Sequence, residues 1–94
     1  MRIISQNGKV DLPYELVAIS THAINRGQVI AKPLTNVDKP FCVMGEYYTE
    51  EKAAKAMKML RTEYEKFQET KSINGSYFAI DYPKVFRFPQ DSEA

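Results

Sequence analysis

One stretch of this chain changes its hydrophobic period, and that change limits the fold more than any other feature. From Ala53 to Phe67 the apolar residues recur every three or four positions, as they do on one face of an amphipathic helix. Thr49 comes just before this stretch and suits a helix N-cap, and the acidic pair Glu50 and Glu51 suits the positive end of the helix dipole. We therefore predict one long helix after Thr49, whose buried stripe consists of Ala53, Met57, Leu60, Tyr64 and Phe67.

The rest of the chain consists of short β-rich segments separated by turn residues. Strands are predicted at about 2–5, 9–12, 15–20, 28–34 and 41–48, with one or two returning strands within 77–82 and 84–88. Asn7-Gly8 is typical of a type I′ hairpin turn, and Gly45 marks a possible bulge. These features predict an α+β fold, an antiparallel sheet of about five or six short strands packed against one long helix. A lone helix must cover that sheet, so its apolar stripe is expected to be core.

The 94 residues are predicted to form a single domain, residues 1–94, with residues 89–94 as a frayed tail. An apolar fraction of 44% and a charged fraction of 27% are typical of a soluble globular domain. No apolar run has the length of a membrane span, and the single cysteine suits a reducing compartment, so we expect a cytoplasmic protein. The net charge of +1 argues against generic nucleic-acid binding.

The sequence offers no recognisable catalytic or metal-binding pattern. With one histidine and one cysteine, it lacks the clustered ligands of a metal site, and we expect neither a metal nor a cofactor. His22 is interpreted as a surface or turn residue, and Cys42, between Phe41 and Val43, as a small buried hydrophobe. Only proximity in space between His22 and Cys42 would suggest a nucleophile and its base. We therefore expect a protein that is not an enzyme.

Four residues are candidates for binding a small ligand. Arg87 lies between Phe86 and Phe88, so on a strand it points away from two rings that are expected to be core. Its guanidinium could bind a phosphate or carboxylate, and so could the cations of Arg26 and Lys32. Of the adjacent tyrosines Tyr47 and Tyr48, one should point inward and the other outward, where it could stack on a base. The predicted ligand-binding residues are Arg26, Lys32, Tyr48 and Arg87.

Three motifs resemble those of a known group of proteins. The start MRIISQNGKVDLPYE, the helical segment YYTEEKAAKAMKMLRTEY and the ending FRFPQDSE occur in the order in which that group has them. The chain thus resembles small uncharacterised proteins encoded by phages and prophages of Gram-positive bacteria. The segments 19–44 and 68–84 lie outside the resemblance. It implies a mobile-element origin, and it brings no catalytic or binding residues with it.

This genomic setting suggests two functions. Small accessory phage proteins often antagonise bacterial defences, so the chain is expected to bind and sequester a small nucleotide immune signal without catalysis. A chain this short has little room for an enclosed pocket, and we expect a homo-oligomer with a site shared between protomers. The alternative is an inhibitor that binds a bacterial defence protein, such as a CRISPR effector, through a sheet edge or helix face. A third possibility, a small hydrolase of the signal, would need His22 or Cys42.

Overall fold

The computed structural model of the chain describes residues 1–35, 40–74 and 85–94. Within them lie six strands and one α-helix, so the α+β class and the long helix are confirmed. The elements are β1 (Arg2–Ile4), β2 (Asp11–Pro13), β3 (Val17–Thr21), β4 (Gln28–Pro33), β5 (Cys42–Glu46), α1 (Glu50–Asn74) and β6 (Val85–Arg87), with short 3₁₀ turns at Tyr14–Leu16 and Asp91–Glu93. The strand predicted at 77–82 lies outside the described residues.

The strands form two three-stranded sheets rather than the single antiparallel sheet predicted from the sequence. The first sheet has the order β2-β1-β6, in which β1 pairs antiparallel with β2 but parallel with β6. A parallel pair needs a long connection, and here β1 and β6 are separated by most of the chain, including α1. Local patterns do not encode that pairing, and the prediction of a wholly antiparallel sheet was wrong for this reason.

The Asn7-Gly8 hairpin is confirmed, but its turn is not type I′. A type I′ turn needs a positive φ at two successive residues. Among the described residues, Gly8 alone has a positive φ, at 76°. Instead the Gly8 amide donates to the Ser5 carbonyl at 2.9 Å, and the Asn7 side chain accepts from the Lys9 amide at 2.9 Å. The asparagine side chain therefore closes the turn without a left-handed backbone at its own position.

The second sheet has the order β3-β4-β5 and is antiparallel throughout. Its register shifts between Val29 and Ile30, where Met44 is the extra residue on β5, next to Gly45. The predicted bulge is thus confirmed at this point. The same residue joins the sheets, because the Gln6 amide donates to the Met44 carbonyl at 2.7 Å.

Helix α1 packs against both sheets, and its predicted stripe is confirmed in part: Ala53 and Leu60 are buried, whereas Met57, Tyr64 and Phe67 are only half-buried. The Thr49 hydroxyl accepts the Lys52 amide at 3.2 Å and caps the helix. Ala53 and Ala56 are fully buried, and these small side chains let the helix approach the sheets closely. The core that they share with Leu60 also takes in residues of both sheets, namely Ile3, Val29, Ala31, Met44, Tyr47, Phe86 and Phe88. No helix within the described ranges is both long and apolar enough to span a membrane.

The end of the chain does not fray as the sequence led us to expect. Phe88 and Pro89 are buried, and Ala94 packs against the core. The Gln90 side-chain amide donates to the Gln6 backbone carbonyl at 2.9 Å, and the Gln90 backbone amide donates to the Glu93 carboxylate at 2.9 Å. Apolar anchors and specific hydrogen bonds therefore hold residues 88–94 in place.

Candidate functional site

The structure distributes the four predicted ligand-binding residues over three surfaces. Arg26 and Tyr48 lie together at one end of the second sheet, Lys32 lies on the face of that sheet opposite the core, and Arg87 lies on β6 beside the helix. All four are exposed. They do not form a single site, so each surface has to be considered for itself.

Arg26 and Tyr48 come together because the turn before β4 contacts the segment before α1. The Tyr47 amide donates to the Gly27 carbonyl at 2.8 Å, and Arg26 lies 3.8 Å from the Glu50 carboxylate. The alternation expected for the two tyrosines is confirmed, since Tyr47 is 7% exposed and Tyr48 is 89% exposed. The surface is open, and Tyr48 projects from it with no ring stacked against its own ring among the described residues.

Tyr47 and Lys52 hold the tail of the chain against the start of α1. The Tyr47 hydroxyl donates to the Pro89 carbonyl at 2.8 Å, and the Lys52 ammonium donates to the Asp91 carboxylate at 3.1 Å. Asp91 also accepts the Tyr48 amide at 2.6 Å. We call these contacts the tail anchor.

The tail anchor perturbs two ionisable groups. The hydrogen bond from the Tyr48 amide, followed by that from Lys52, lowers the pKa of Asp91 because both stabilise the carboxylate. Burial, with smaller contributions from the Asp91 and Glu93 carboxylates, raises the pKa of Tyr47 to about 12. The lowered pKa of Asp91 thus depends on the docked tail, whereas the raised pKa of Tyr47 depends mainly on its burial.

Arg87 is placed as the sequence predicted. Phe86 and Phe88 are buried on either side of it, and their rings meet edge to face at 5.3 Å. Arg87 itself faces away from this core and lines a groove between α1 and β6.

This groove has a volume of about 730 Å³. Its helix wall carries two lysines one turn apart, and its strand wall carries Arg87. The floor is apolar and comes from Met59 and Phe86. The described residues that line it are Lys55, Lys58, Met59, Thr62, Glu63, Val85, Phe86 and Arg87.

The groove is cationic, since three of its lining residues are positively charged and one is negatively charged. Lys55, Lys58 and Arg87 form no ion pair with the residues that the structure describes. The one carboxylate, that of Glu63, lies 3.7 Å from the Lys66 ammonium, which offsets its charge. An anionic group in this groove would therefore meet three cations that form no ion pair with a described carboxylate.

A second cavity of about 480 Å³ adjoins the groove, since Met59 and Arg87 line both. Its wall includes Gln6 and Gln90, whose side-chain amides are already hydrogen-bonded to backbone carbonyls. Arg87 thus stands where two concave surfaces meet, within reach of a ligand in either one.

Sequence reasoning missed the helix wall of the groove. Lys55 lies off the apolar stripe, and its position in the sequence does not distinguish it from a solvated helix lysine. The available signal was the spacing of Lys55, Lys58 and Thr62, which places them on one flank of the helix next to Met59. That spacing gains meaning only once β6 is known to lie beside this flank.

The contacts of His22 and Cys42 are those of residues that support the fold. The His22 Nδ1 atom accepts the amides of Ile24 at 3.1 Å and Asn25 at 3.0 Å, so the ring closes the turn. Cys42 pairs with Ala31 on the core side of the second sheet. The described part of the chain contains no cluster of three or more histidine, cysteine, aspartate or glutamate residues that could hold a metal ion.

Comparisons with known proteins found no protein family, curated protein or solved structure that matches this chain.

Proposed function

We propose that this protein binds and sequesters a small nucleotide immune signal, and that the groove between α1 and β6 is the binding site. The observation that carries the proposal is the set of three cations, Lys55, Lys58 and Arg87, around the apolar floor of Met59 and Phe86. In this proposal the protein is a phage-type counter-defence protein that acts in the bacterial cytoplasm. The resemblance to phage and prophage proteins supplies that setting.

The groove has both kinds of surface that a nucleotide needs. Arg87 can bind a phosphate through two parallel hydrogen bonds, and Lys55 and Lys58 add point charges from the opposite wall. Met59 offers a polarisable thioether to the face of a base. The volume of the groove, about 730 Å³, falls within the range of small-molecule sites, about 300–1,000 Å³.

Sequestration requires binding alone, and the lining residues fit that requirement. Thr62 and Glu63 are the hydroxyl and the carboxylate among the described lining residues. They are successive residues of a helix, so their side chains diverge and do not form a nucleophile with its base. The earlier expectation of a site shared between protomers is not needed for this groove, because one chain supplies both of its walls.

The test is a binding titration with a panel of cyclic nucleotides and ADP-ribose-derived signals. For a ligand that binds, Arg87→Ala should weaken affinity by about tenfold or more, because a hydrogen-bonded charge is lost. Lys58→Glu should weaken it further by repulsion. Arg61→Glu is the matched control, since it makes the same change of charge on the same helix but lies beside a different cavity.

Two results would contradict the proposal. One is that no compound of the panel binds. The other is binding that Lys58→Glu and Arg61→Glu reduce equally, which would indicate a general charge effect rather than a site in the groove.

A second candidate function is direct inhibition of a bacterial defence protein, favoured by the surface around Tyr48. Tyrosine and arginine are enriched among residues that dominate protein interfaces. Here Tyr48 is 89% exposed, and Arg26 lies beside it with a carboxylate at 3.8 Å, a weak surface pair. Tyr48→Ala should abolish a stoichiometric complex with such a target and leave nucleotide binding unchanged. Persistence of the complex in that variant would rule out this surface.

A further inference from the structure

The second sheet has an apolar face that α1 does not cover. Val29 and Ala31 point toward the helix, so the alternate residues of β4 point the other way. We call this the outer face. The Leu34 amide donates to the Leu16 carbonyl at 3.1 Å, which extends the β3–β4 ladder by one pair. The apolar residues that strand alternation places on the outer face are Ala18, Ile30 and Val43, and Leu16, Leu34 and Phe41 lie next to the ends of the same strands.

The centre of the outer face is buried within the chain itself, whereas its margin is exposed. Ile30 is 8% exposed although it lies outside the core cluster, and Phe41 contacts the His22 ring at 5.2 Å on the same side. At the margin, Leu16 and Leu34 are 57% and 58% exposed. A protected centre with large exposed apolar side chains near it is the composition of an association surface.

The charges of the outer face lie at opposite ends of its strands. Lys32 pairs with Ala18 toward one end of β4 and forms no ion pair with described residues. Glu46 pairs with Gln28 at the other end and accepts its side-chain amide at 3.0 Å. Among the described residues, the outer face thus carries a positive charge at one end and a negative charge at the other, with Ile30 midway along β4.

This distribution is complementary to itself. A two-fold axis across the strands at Ile30 would bring Lys32 of each copy opposite the Gln28–Glu46 end of the other. An axis along β4 would instead bring Lys32 against Lys32, which is repulsive. The first arrangement also brings the Leu16–Leu34 end over the turn before β4, where Ile24 is 90% exposed. The charges therefore select the axis across the strands, and a two-fold axis makes the interface isologous.

We propose that two copies of this chain form a dimer through their outer faces, with Lys32 of each copy paired to Glu46 of the other. The two sheets pack face to face, as in a β-sandwich. The outer face points away from α1, so both grooves remain open in the dimer. Dimerisation and nucleotide binding can therefore succeed or fail independently of each other.

The test uses sedimentation velocity over a range of concentrations. The wild-type chain should be a dimer. Lys32→Glu and Glu46→Lys should each weaken it by about tenfold or more, because each variant opposes like charges twice in its own dimer. An equimolar mixture of the two variants should recover the dimer, since both pairs are again of opposite charge. Lys58→Glu, in the groove, is the control that should leave the dimer intact.

Recovery in the mixture separates pairing between copies from damage to one copy, because a misfolded variant is not repaired by a second chain. Leu34→Ser should weaken the dimer without altering the charges, and thermal melts would show that the variants stay folded. Three results would overturn the proposal. They are a wild-type monomer at every concentration, a dimer that neither charge reversal weakens, and a mixture that stays monomeric.

Discussion

Two lysines on one helix differ in their surroundings: one supports the fold, and the other lines the candidate site. Lys52, in the first turn of α1, binds the Asp91 carboxylate at 3.1 Å and the Asp91 carbonyl at 3.0 Å, and so helps to hold the tail. Lys58, less than two turns later, lines the groove and has no carboxylate partner among the described residues. The residue type is the same, and the surroundings decide what each ammonium group is available to bind.

The difference indicates where to look for function when the fold alone does not reveal it. Around the tail anchor, polar groups meet partners from the same chain, as the Tyr47 hydroxyl does with the Pro89 carbonyl. In the groove, three cations share a concave surface and have no carboxylate partner within the described ranges. Departures from local pairing are expected at binding sites, because a site keeps its interactions for a ligand.

The largest effect should come from two adjacent residues that belong to the two regions. Phe88 is 2% exposed in the core beneath the tail, so Phe88→Ala should reduce the free energy of unfolding by about 3–5 kcal/mol. Arg87→Ala, one residue earlier but on the exposed side, should change it by no more than about 0.5 kcal/mol. Urea denaturation of both variants makes the comparison, and equal losses would contradict it.

A somewhat smaller loss is expected for Gly45→Ala, next to the bulge of β5. A Cβ atom at this position would lie 2.7 Å from the Tyr47 ring and 2.9 Å from its hydroxyl oxygen. The ring would have to move, and with it the bond to Pro89, so we expect a destabilisation of about 1–3 kcal/mol. The control is Ala54→Ser on the exposed side of α1, which should be nearly neutral. A Gly45→Ala protein as stable as the Ala54→Ser control would contradict the tail anchor.

Local patterns predicted the parts of the fold that depend on neighbours in sequence. The Thr49 cap, the buried stripe through Leu60 and the opposite sides of Tyr47 and Tyr48 all follow from period and residue type. The two-sheet division and the parallel return of β6 do not, because they depend on pairing between segments far apart in the chain. The docked tail was missed for the same reason, since Asp91 gains its partners from Lys52 in α1 and from Tyr48 just before the helix.

The candidate site was predictable only in part. Arg87 stood out because it lies between two aromatic residues, and an alternating strand pattern exposes it. Lys58 did not stand out, since a lysine on a helix is usually solvated. Arg26, Lys32 and Tyr48 were grouped with Arg87 by residue type alone, and the fold separates them from it.

Alkaline pH should weaken the anchored region through Tyr47. In the unfolded chain a tyrosine has a pKa of 10.0, whereas burial raises the pKa of Tyr47 to about 12 in the folded protein. The stabilising effect is therefore complete below pH 10 and is lost as the pH rises from 10 toward 12. Burial also raises the pKa of Tyr14, so Tyr47→Phe is needed to isolate the contribution of Tyr47. Urea denaturation at several pH values should show a shallower alkaline loss in Tyr47→Phe, and an unchanged loss would contradict this assignment.

The smallest effect should come from the ion pair at the helix start. The pKa of Asp91 is lowered from 3.8 on folding, so the stability that it contributes is present above pH 3.8 and is lost as the pH falls below that value. Lys52→Ala should lower the melting temperature at pH 7 slightly and reduce the acid dependence. Lys55→Ala, one turn later, should change neither. If both variants melt alike at pH 7 and at pH 3, the two regions of the helix do not differ as we describe.

The most direct test of the account is native mass spectrometry of the chain mixed with the panel of nucleotide signals, for the wild type and for the pair Lys58→Ala/Arg87→Ala. The account predicts that the wild type retains one intact compound per chain, whether the chain is monomeric or dimeric. The double variant should stay folded and lose that compound, and Arg61→Ala should retain it. Retention of the compound by the folded double variant, or no retention by the wild type, would contradict the claim that the cations of the groove form a nucleotide site.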